Sequence, residues 1–460
     1  MAPPRKEKIV EKESYYPHSN SLTLGWKKLL LHLSITASNT VQVKIELTQI
    51  YNVLILHHFS QLFKIIFNYP CLLTSTPITG ILAGMKSQAT RISRREFLQM
   101  AGLGFTALSL PPMIFSQEHD RIKLSLPEFP RSDIIGRNCS ADTNPSGGKI
   151  QMFARPDINS GVVRDVYRDD VFAWVKEVSA ETLDYNLPNQ RWVETPEGYI
   201  RSLYIQPCKN VPNTPLSSLP AGLEGFWAEV TVPYVDLENF NPGPVTRKGW
   251  LFDLASFNLQ PRYYYQQVIW VDGIAADGSD ISYRVRDRYG DPGDLFWADG
   301  RAFRPITAEE LSPIHPEIDP VTKKILVNLN YQTLSCFEGD REVFYCRVST
   351  GAGEGSTPYG EQPIWRKMIS TRMAANSVST YELPAIPWTV LFNGNGVAIH
   401  GTTSHNDFGR PRSHGCVNCR PEDAKWIFRW TQPEVLLNPG LIEWSDWRTG
   451  STHVFVIDSL

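Results

Sequence analysis

The sequence predicts a mainly β chain built of several parts, and three observations predict it. Short apolar-alternating runs recur along most of its length, separated by turn residues. Thirty-four prolines and thirty-one glycines supply that punctuation. Within the C-terminal third only one stretch, Pro421 to Trp430, carries a helical pattern. At 460 residues the chain is long enough for about two to four units. Its 42% apolar, 20% charged and 11% aromatic composition is that of a globular protein able to bury several cores. A net charge of -3 and a pI near 6.4 argue against a general field for nucleic acid.

Residues 1–84 differ from the rest, with few glycines and alanines and no sustained apolar period. A segment around Tyr51 to Leu73 is apolar but interrupted by His57, His58, Gln61 and Lys64, so it lacks the unbroken run a membrane span needs. Met85 opens a better start. A basic region leads to Ser93-Arg94-Arg95-Glu96-Phe97-Leu98, followed by an apolar run from Met100 to Leu110. The arginine pair with Phe97 and Leu98 resembles a twin-arginine export signal, read by the machinery that exports folded proteins. Residues 85–116 are therefore expected to be that signal, and 1–84 to be translated upstream sequence without function. No small-x-small cleavage site follows, which leaves open an uncleaved signal serving as an anchor.

Residues 117–147 are polar and proline-rich and are expected to be a linker. Strands are expected at Ile150 to Phe153, Val162 to Tyr167, Val171 to Val178, Arg191 to Glu194 and Tyr199 to Leu203, a density that suggests a small barrel. The Arg191-Trp192-Val193 run leading to Gly198-Tyr199-Ile200 resembles a bacterial SH3-like domain over 148–210. Such domains accompany envelope enzymes and either hold wall polymer or act as spacers. Residues 211–320 form a β-rich extension of no assigned family. Its aromatics Tyr263, Tyr264, Tyr265, Trp270, Phe296 and Trp297 are expected mainly in cores rather than stacked on sugars.

From Lys323 the alternation of Ile325, Val327 and Leu329 opens a three-stranded meander. It continues through Gln332 to Phe337, turns at Glu338-Gly339-Asp340 and ends in Val343 to Val348. Further strands are expected at Thr389 to Phe392, Gly396 to Ile399 and Val454 to Ile457. The 421–430 helix has Pro421 in its first turn, Glu422 and Asp423 complementing its dipole, and an apolar stripe of Ala424, Ile427 and Phe428.

Chemistry concentrates between strand and helix. His400-Gly401-Thr402-Thr403-Ser404-His405, Arg410 and Ser413-His414-Gly415-Cys416-Val417-Asn418-Cys419 place three of ten histidines and two of seven cysteines in twenty residues. The other cysteines, Cys71, Cys139, Cys208, Cys336 and Cys346, are too scattered for a disulfide scaffold. A cysteine nucleophile must lose its proton, and a histidine base and the N-terminus of a following helix both favour that. Backbone N–H groups of the Gly415-Cys416-Val417 turn are candidate oxyanion donors.

The spacing of His400 and Ser413-His414-Gly415-Cys416-Val417-Asn418 resembles the signature of the L,D-transpeptidases, whose catalytic domain is of the YkuD type. Ser356-Thr357-Pro358-Tyr359-Gly360 matches a second family segment. The resemblance covers about 321–460 and implies a β-sandwich-like fold. It implies that Cys416 attacks the carbonyl after the third residue of a peptidoglycan tetrapeptide stem, releasing D-Ala. The resulting thioester then passes to an amine of a second stem. By position, His400 is the acid/base, held by a carbonyl near Gly401; His414 assists substrate or oxyanion and could exchange roles with it. Ser413 and Asn418 fix the loop, and Arg410 meets a stem carboxylate. No cofactor or metal is implied, and carbapenem-type β-lactams are expected covalent inhibitors.

Five other readings stand beside it. Water or a protein amine as acceptor gives an L,D-carboxypeptidase or a protein-anchoring enzyme. His400, His405, His414, Cys416 and Cys419 could instead hold zinc, although a second ligand pair is missing. A Cys-x-x-Cys redox protein would need an α/β setting, and a purely wall-binding protein would leave Ser413 to Cys416 unexplained. Cys419 is either a buried passive thiol or a disulfide partner that would switch Cys416 off.

Overall fold

The computed structural model describes residues 124–140, 149–185, 187, 189–239, 250–289, 295–374, 382–443 and 450–458, together with two strands at 29–35 and 41–47. The chain divides into two compact units, Met1–His119 and Asp120–Leu460. In the first, Leu29–Ile35 pairs antiparallel with Val41–Leu47. The expected signal at 85–116 and the apolar segment at 51–73 lie outside the described residues. Among the described residues no helix is long and apolar enough to cross a membrane.

The second unit is mainly β. Its first part holds a five-stranded sheet in the order Val162–Val166, Ile150–Phe153, Tyr199–Arg201, Arg191–Glu194, Lys176–Ser179. Beside it lies a three-stranded sheet of Ile205–Cys208, Ile135–Asn138 and Val171–Ala173. Met152, Val166, Phe172, Val193, Ile200 and Ile205 join the two sheets in one core. Two expectations are corrected here. The single run from Val171 to Val178 breaks after Ala173 into strands of different sheets: Trp174 N–H still donates to Ile134 O beside the three-stranded sheet, while Val175 N–H donates to Glu194 O of the five-stranded one. The expected linker at 117–147 contains the strand Ile135–Asn138, buried along its whole length. Gly136 lets the Phe172 ring cross it, since a Cβ there would stand 2.3 Å from the ring. The polar residues of that strand disguised it.

The middle part is a six-stranded sheet in the order Glu238–Asn239, Phe296–Asp299, Asp280–Arg286, Val268–Asp277, Phe226–Val230, Phe303–Pro305. Tyr234–Asp236 pairs separately with Arg262–Tyr264. Tyr263, Tyr264, Trp270 and Phe296 are buried, as core residues should be. A seven-residue helix, Trp250–Ser256, was not legible in the sequence. It is too short to show a period, and Trp250 is held by stacking on Tyr263 rather than by helix propensity.

The C-terminal part has two five-stranded sheets. One runs Arg341–Arg347, Thr333–Glu338, Lys323–Asn328, His453–Ile457, Gly360–Pro363. The meander forms as expected, with Gly339 at φ 62 in its turn. The other runs Val417–Cys419, Ala398–Gly401, Glu382–Leu391, Arg366–Ala374, Leu441–Glu443. The helix Pro421–Trp430 buries Ala424, Ile427 and Phe428 as its stripe requires. Both sheets and this helix share one core, which also takes in Trp227, Val268, Trp270, Ile306 and Leu311 of the middle part.

Candidate active site

The Ala398–Gly401 and Val417–Cys419 strands lie side by side and parallel, with Ile399 opposite Val417, His400 opposite Asn418 and Gly401 opposite Cys419. Strand alternation then sorts the side chains. Ile399, Val417 and Cys419 enter the core, while His400, Asn418 and, two residues before it, Cys416 belong to the other face. The sequence placed the whole cluster on a loop after a strand ending at Ile399. The strand instead continues to Gly401, and a second short strand begins just after Cys416. Cys416 and Cys419 therefore point apart. Both thiols are free, and Cys419 is fully buried with its sulfur against Cys346.

His400 is buried, and its Nδ1–H donates to Gly401 O at 2.9 Å. That bond leaves the Nε2 lone pair as the ring's proton acceptor. Burial pulls the imidazole pKa down to about 4, opposed only in part by the Gly401 carbonyl. His400 is therefore neutral near pH 7. Gly401 must be glycine, because a Cβ would stand 2.9 Å from the Pro387 ring and 3.0 Å from Pro421 Cα at the start of the helix.

Cys416 is half-buried, with Sγ 3.9 Å from Gly396 O. Desolvation pushes its thiol pKa up, and the Ala398 backbone N–H pulls it down less strongly. The resting pair is thus a thiol and a neutral imidazole rather than an ion pair.

The turn carrying the thiol is closed by Ser413. Its Oγ donates to Cys416 O at 2.6 Å and accepts from Gly415 N–H at 3.0 Å. The Gly415 N–H, expected among the oxyanion donors, is occupied by that bond. Gly415 passes under Ser356, where a Cβ would meet the Ser356 carbonyl oxygen at 2.6 Å. Thr357 Oγ1 donates to Gly415 O at 2.8 Å and accepts from Gly351 N–H at 2.9 Å. The Ser356-Thr357-Pro358 segment is thus the floor of the thiol turn. His414 is exposed beside it.

Asn418 exchanges backbone hydrogen bonds with Ser349. Its side-chain amide faces His405 Nε2 at 3.2 Å. His405 Nδ1 accepts the Asp407 N–H at 3.2 Å, so the proton of the neutral ring sits on Nε2. An amide oxygen is the matching partner for that proton, and Asn418 Oδ1 is otherwise buried without one. Turning the amide over satisfies both groups and directs the Asn418 NH2 away from His405. His405 entered the sequence reading only as a metal candidate; its tie to Asn418, thirteen residues away, had no local signal. Among the described residues no group of three or more His, Cys, Asp and Glu side chains is arranged to hold a metal ion. Arg410 and Arg412 both approach buried Asp407, at 3.8 and 2.9 Å, and Arg412 makes the hydrogen bond. Arg410 stays partly exposed.

The fold and site define a half-buried thiol on a mixed β-sheet beside an oriented, neutral imidazole, equipment suited to acyl transfer. Residues 322–453 match the family model of the L,D-transpeptidase catalytic domain, YkuD. Among solved structures, an L,D-transpeptidase from Stackebrandtia nassauensis is 26% identical, over 30% of this chain and 56% of its own, with a TM-score of 0.22. A cysteine-to-serine mutant of the Enterococcus faecium L,D-transpeptidase is 21% identical, over 31% of this chain and 52% of its own, with a TM-score of 0.24. An L,D-transpeptidase in complex with imipenem is 15% identical, over 40% of this chain and 99% of its own, with a TM-score of 0.24. The chain spans about half the length of the first two. No curated protein matches it.

Proposed function

We propose that this chain is an exported peptidoglycan L,D-transpeptidase with Cys416 as nucleophile. The observation that carries the proposal is His400, neutral and fixed through Nδ1 on Gly401 O, on the strand adjacent and parallel to the one Cys416 leads into. His400 Nε2 accepts the Cys416 thiol proton as sulfur attacks the stem carbonyl after residue 3. The Val417 N–H faces the Ala398–Gly401 strand in the parallel ladder, which leaves the Cys416 backbone N–H as the candidate for the oxyanion, aided by His414 or the Asn418 amide. As the tetrahedral adduct collapses, the imidazolium returns its proton to the departing D-Ala amine, leaving a thioester. The amine of a second stem attacks that thioester, loses a proton and restores the thiol, completing a 3→3 cross-link. Water or a protein amine as acceptor would give carboxypeptidase or anchoring activity through the same thioester, and product analysis separates the three. Arg410, with its charge partly open to solvent, is assigned to a stem carboxylate.

In this reading residues 85–116 are the twin-arginine signal, 148–210 the SH3-like part, 211–320 an extension and 321–460 the catalytic part. The imipenem complex of a similar protein supports a carbapenem as probe. Intact mass of purified 117–460 after incubation with imipenem should show one adduct. Cys416→Ser should lower the adduct-forming rate at least about 1,000-fold. An adduct retained on Cys416→Ser, or none on folded reduced wild type, would refute the assignment.

A further inference from the structure

The segment after Gly401 is unlike an ordinary loop. Residues 402–408 form no strand or helix, yet none of their side chains is more than 8% exposed. Connecting segments normally run over the surface, because buried backbone polar groups need partners. Here the partners come from the first part of the second unit. Arg137 Nη2 donates to Thr403 O at 2.8 Å across 266 positions of sequence. Asn406 N–H donates to Leu203 O at 3.1 Å, and Asn406 Nδ2 to Ser202 O at 3.3 Å.

Arg137 is itself fully enclosed. Its Nε donates to Gln206 Oε1 and its Nη1 to Asp169 Oδ1, both at 2.8 Å, and the guanidinium lies 3.8 Å over the Tyr264 ring. Asp169 also accepts from Arg262 Nη1 at 2.9 Å, while Gln206 donates to Tyr265 O at 2.9 Å. All three parts of the second unit therefore meet at one guanidinium. The loop it holds begins at His400-Gly401, donates Thr402 N–H to Cys419 O, and carries His405 against Asn418.

We propose that Arg137 is a positioning residue for the catalytic site, pinning the 402–408 loop so that the first part of the unit is one wall of the site rather than a freely tethered wall-binding module. The assignment rests on the transpeptidase reading for its catalytic readout. An interior charge with three planar donors can set a carbonyl and a carboxylate at fixed angles. A displacement of about 1 Å near reacting groups costs on the order of 100-fold in rate.

The test compares wild type, Arg137→Met, Arg137→Lys and Asn406→Asp in the 117–460 protein, following imipenem acylation of Cys416 and hydrogen exchange of 402–408. Arg137→Met should lower the limiting acylation rate at least tenfold, with the half-saturating imipenem concentration changed less than threefold, and speed exchange in the loop. Arg137→Lys should recover part of both. A folded Arg137→Met that acylates at the wild-type rate with its loop still protected overturns the proposal. If Arg137→Met does not fold, Asn406→Asp decides by the same readouts, because its carboxylate faces the Ser202 carbonyl and must loosen the same seam. If wild type is not acylated, the transpeptidase reading fails, and loop exchange alone still decides whether Arg137 is the pin.

Discussion

At the scale of single residues, the site turns on two titrating groups displaced in opposite directions. His400 is held near pKa 4 by burial, and the Cys416 thiol is pushed up by desolvation. In the proposed mechanism His400 is therefore ready to act as a base well below neutrality. We expect the imipenem acylation rate to fall on the acid side with a midpoint near 4, measured by mass between pH 3.5 and 8; a midpoint near 6.5 would mean a solvated His400. The same displacement acts on stability. His400 near 4 and His405 near 3 are both depressed from the ordinary histidine value, so their neutral forms stabilise the fold above about pH 6.5. That contribution is lost as pH falls from there towards 4 and 3, and thermal melts should show a lower Tm at pH 4.5 than at pH 7. Thiol and imidazole were legible because their spacing is local. The Asn418–His405 pair was not, because it depends on how the loop returns to the strand.

At the scale of elements, the Pro421–Trp430 helix anchors the floor of the site, and its end is secured by an unusual residue. Lys367, wholly buried in the Arg366–Ala374 strand, donates through Nζ to Thr431 O and Pro433 O, both at 2.7 Å. These carbonyls lie just past the helix C-terminus, where a cation also meets the negative end of the dipole. Burial pushes the Lys367 pKa well down, and among the described residues no carboxylate is hydrogen-bonded to its ammonium group. Lys367→Met keeps the volume but strands two carbonyls. It should cost about 2–4 kcal/mol in denaturant unfolding, and a loss below about 0.5 kcal/mol would mean that water replaces the lysine. The helix itself was legible to the residue, since Pro421, the acidic first turn and the apolar stripe all belong to it. The strand Arg366–Ala374 was not, because burial on both sides leaves it without alternation.

At the scale of the whole molecule, the first part keeps a core of its own, but the middle and catalytic parts expected from sequence do not keep separate cores. Trp227 and Trp270 of the middle part share a core with the catalytic sheets, and Gly440 packs so closely on Trp227 that a Cβ would stand 2.2 Å from its indole nitrogen. Glu310 ties Arg304 of the middle part to Lys425 of the helix; burial pushes its carboxyl up, and the hydrogen bonds from these two cations overcome that and pull it down to about 2. Residues 321–460 alone would expose the Trp227 and Trp270 side of their core. That fragment should melt at least about 10 °C below 117–460, and in 117–460 the middle and catalytic parts should unfold together in one calorimetric transition. Separate transitions, or a fragment as stable as the whole, would contradict a shared core.

What the sequence by itself determined is local. The Cys and His cluster, the meander, the 421–430 helix and the mainly β class all follow from local motif, alternation and the backbone limits of proline and glycine, which act within a few residues. What only the tertiary structure decided is which distant groups complete that chemistry. Arg137 reads as a polar residue in a linker until Thr403 reaches it from 266 positions away. Cys419 reads as either a passive thiol or a partner for Cys416 until alternation and the core separate the two. Burial and long-range hydrogen bonding are properties of a packed arrangement, and no local pattern encodes them.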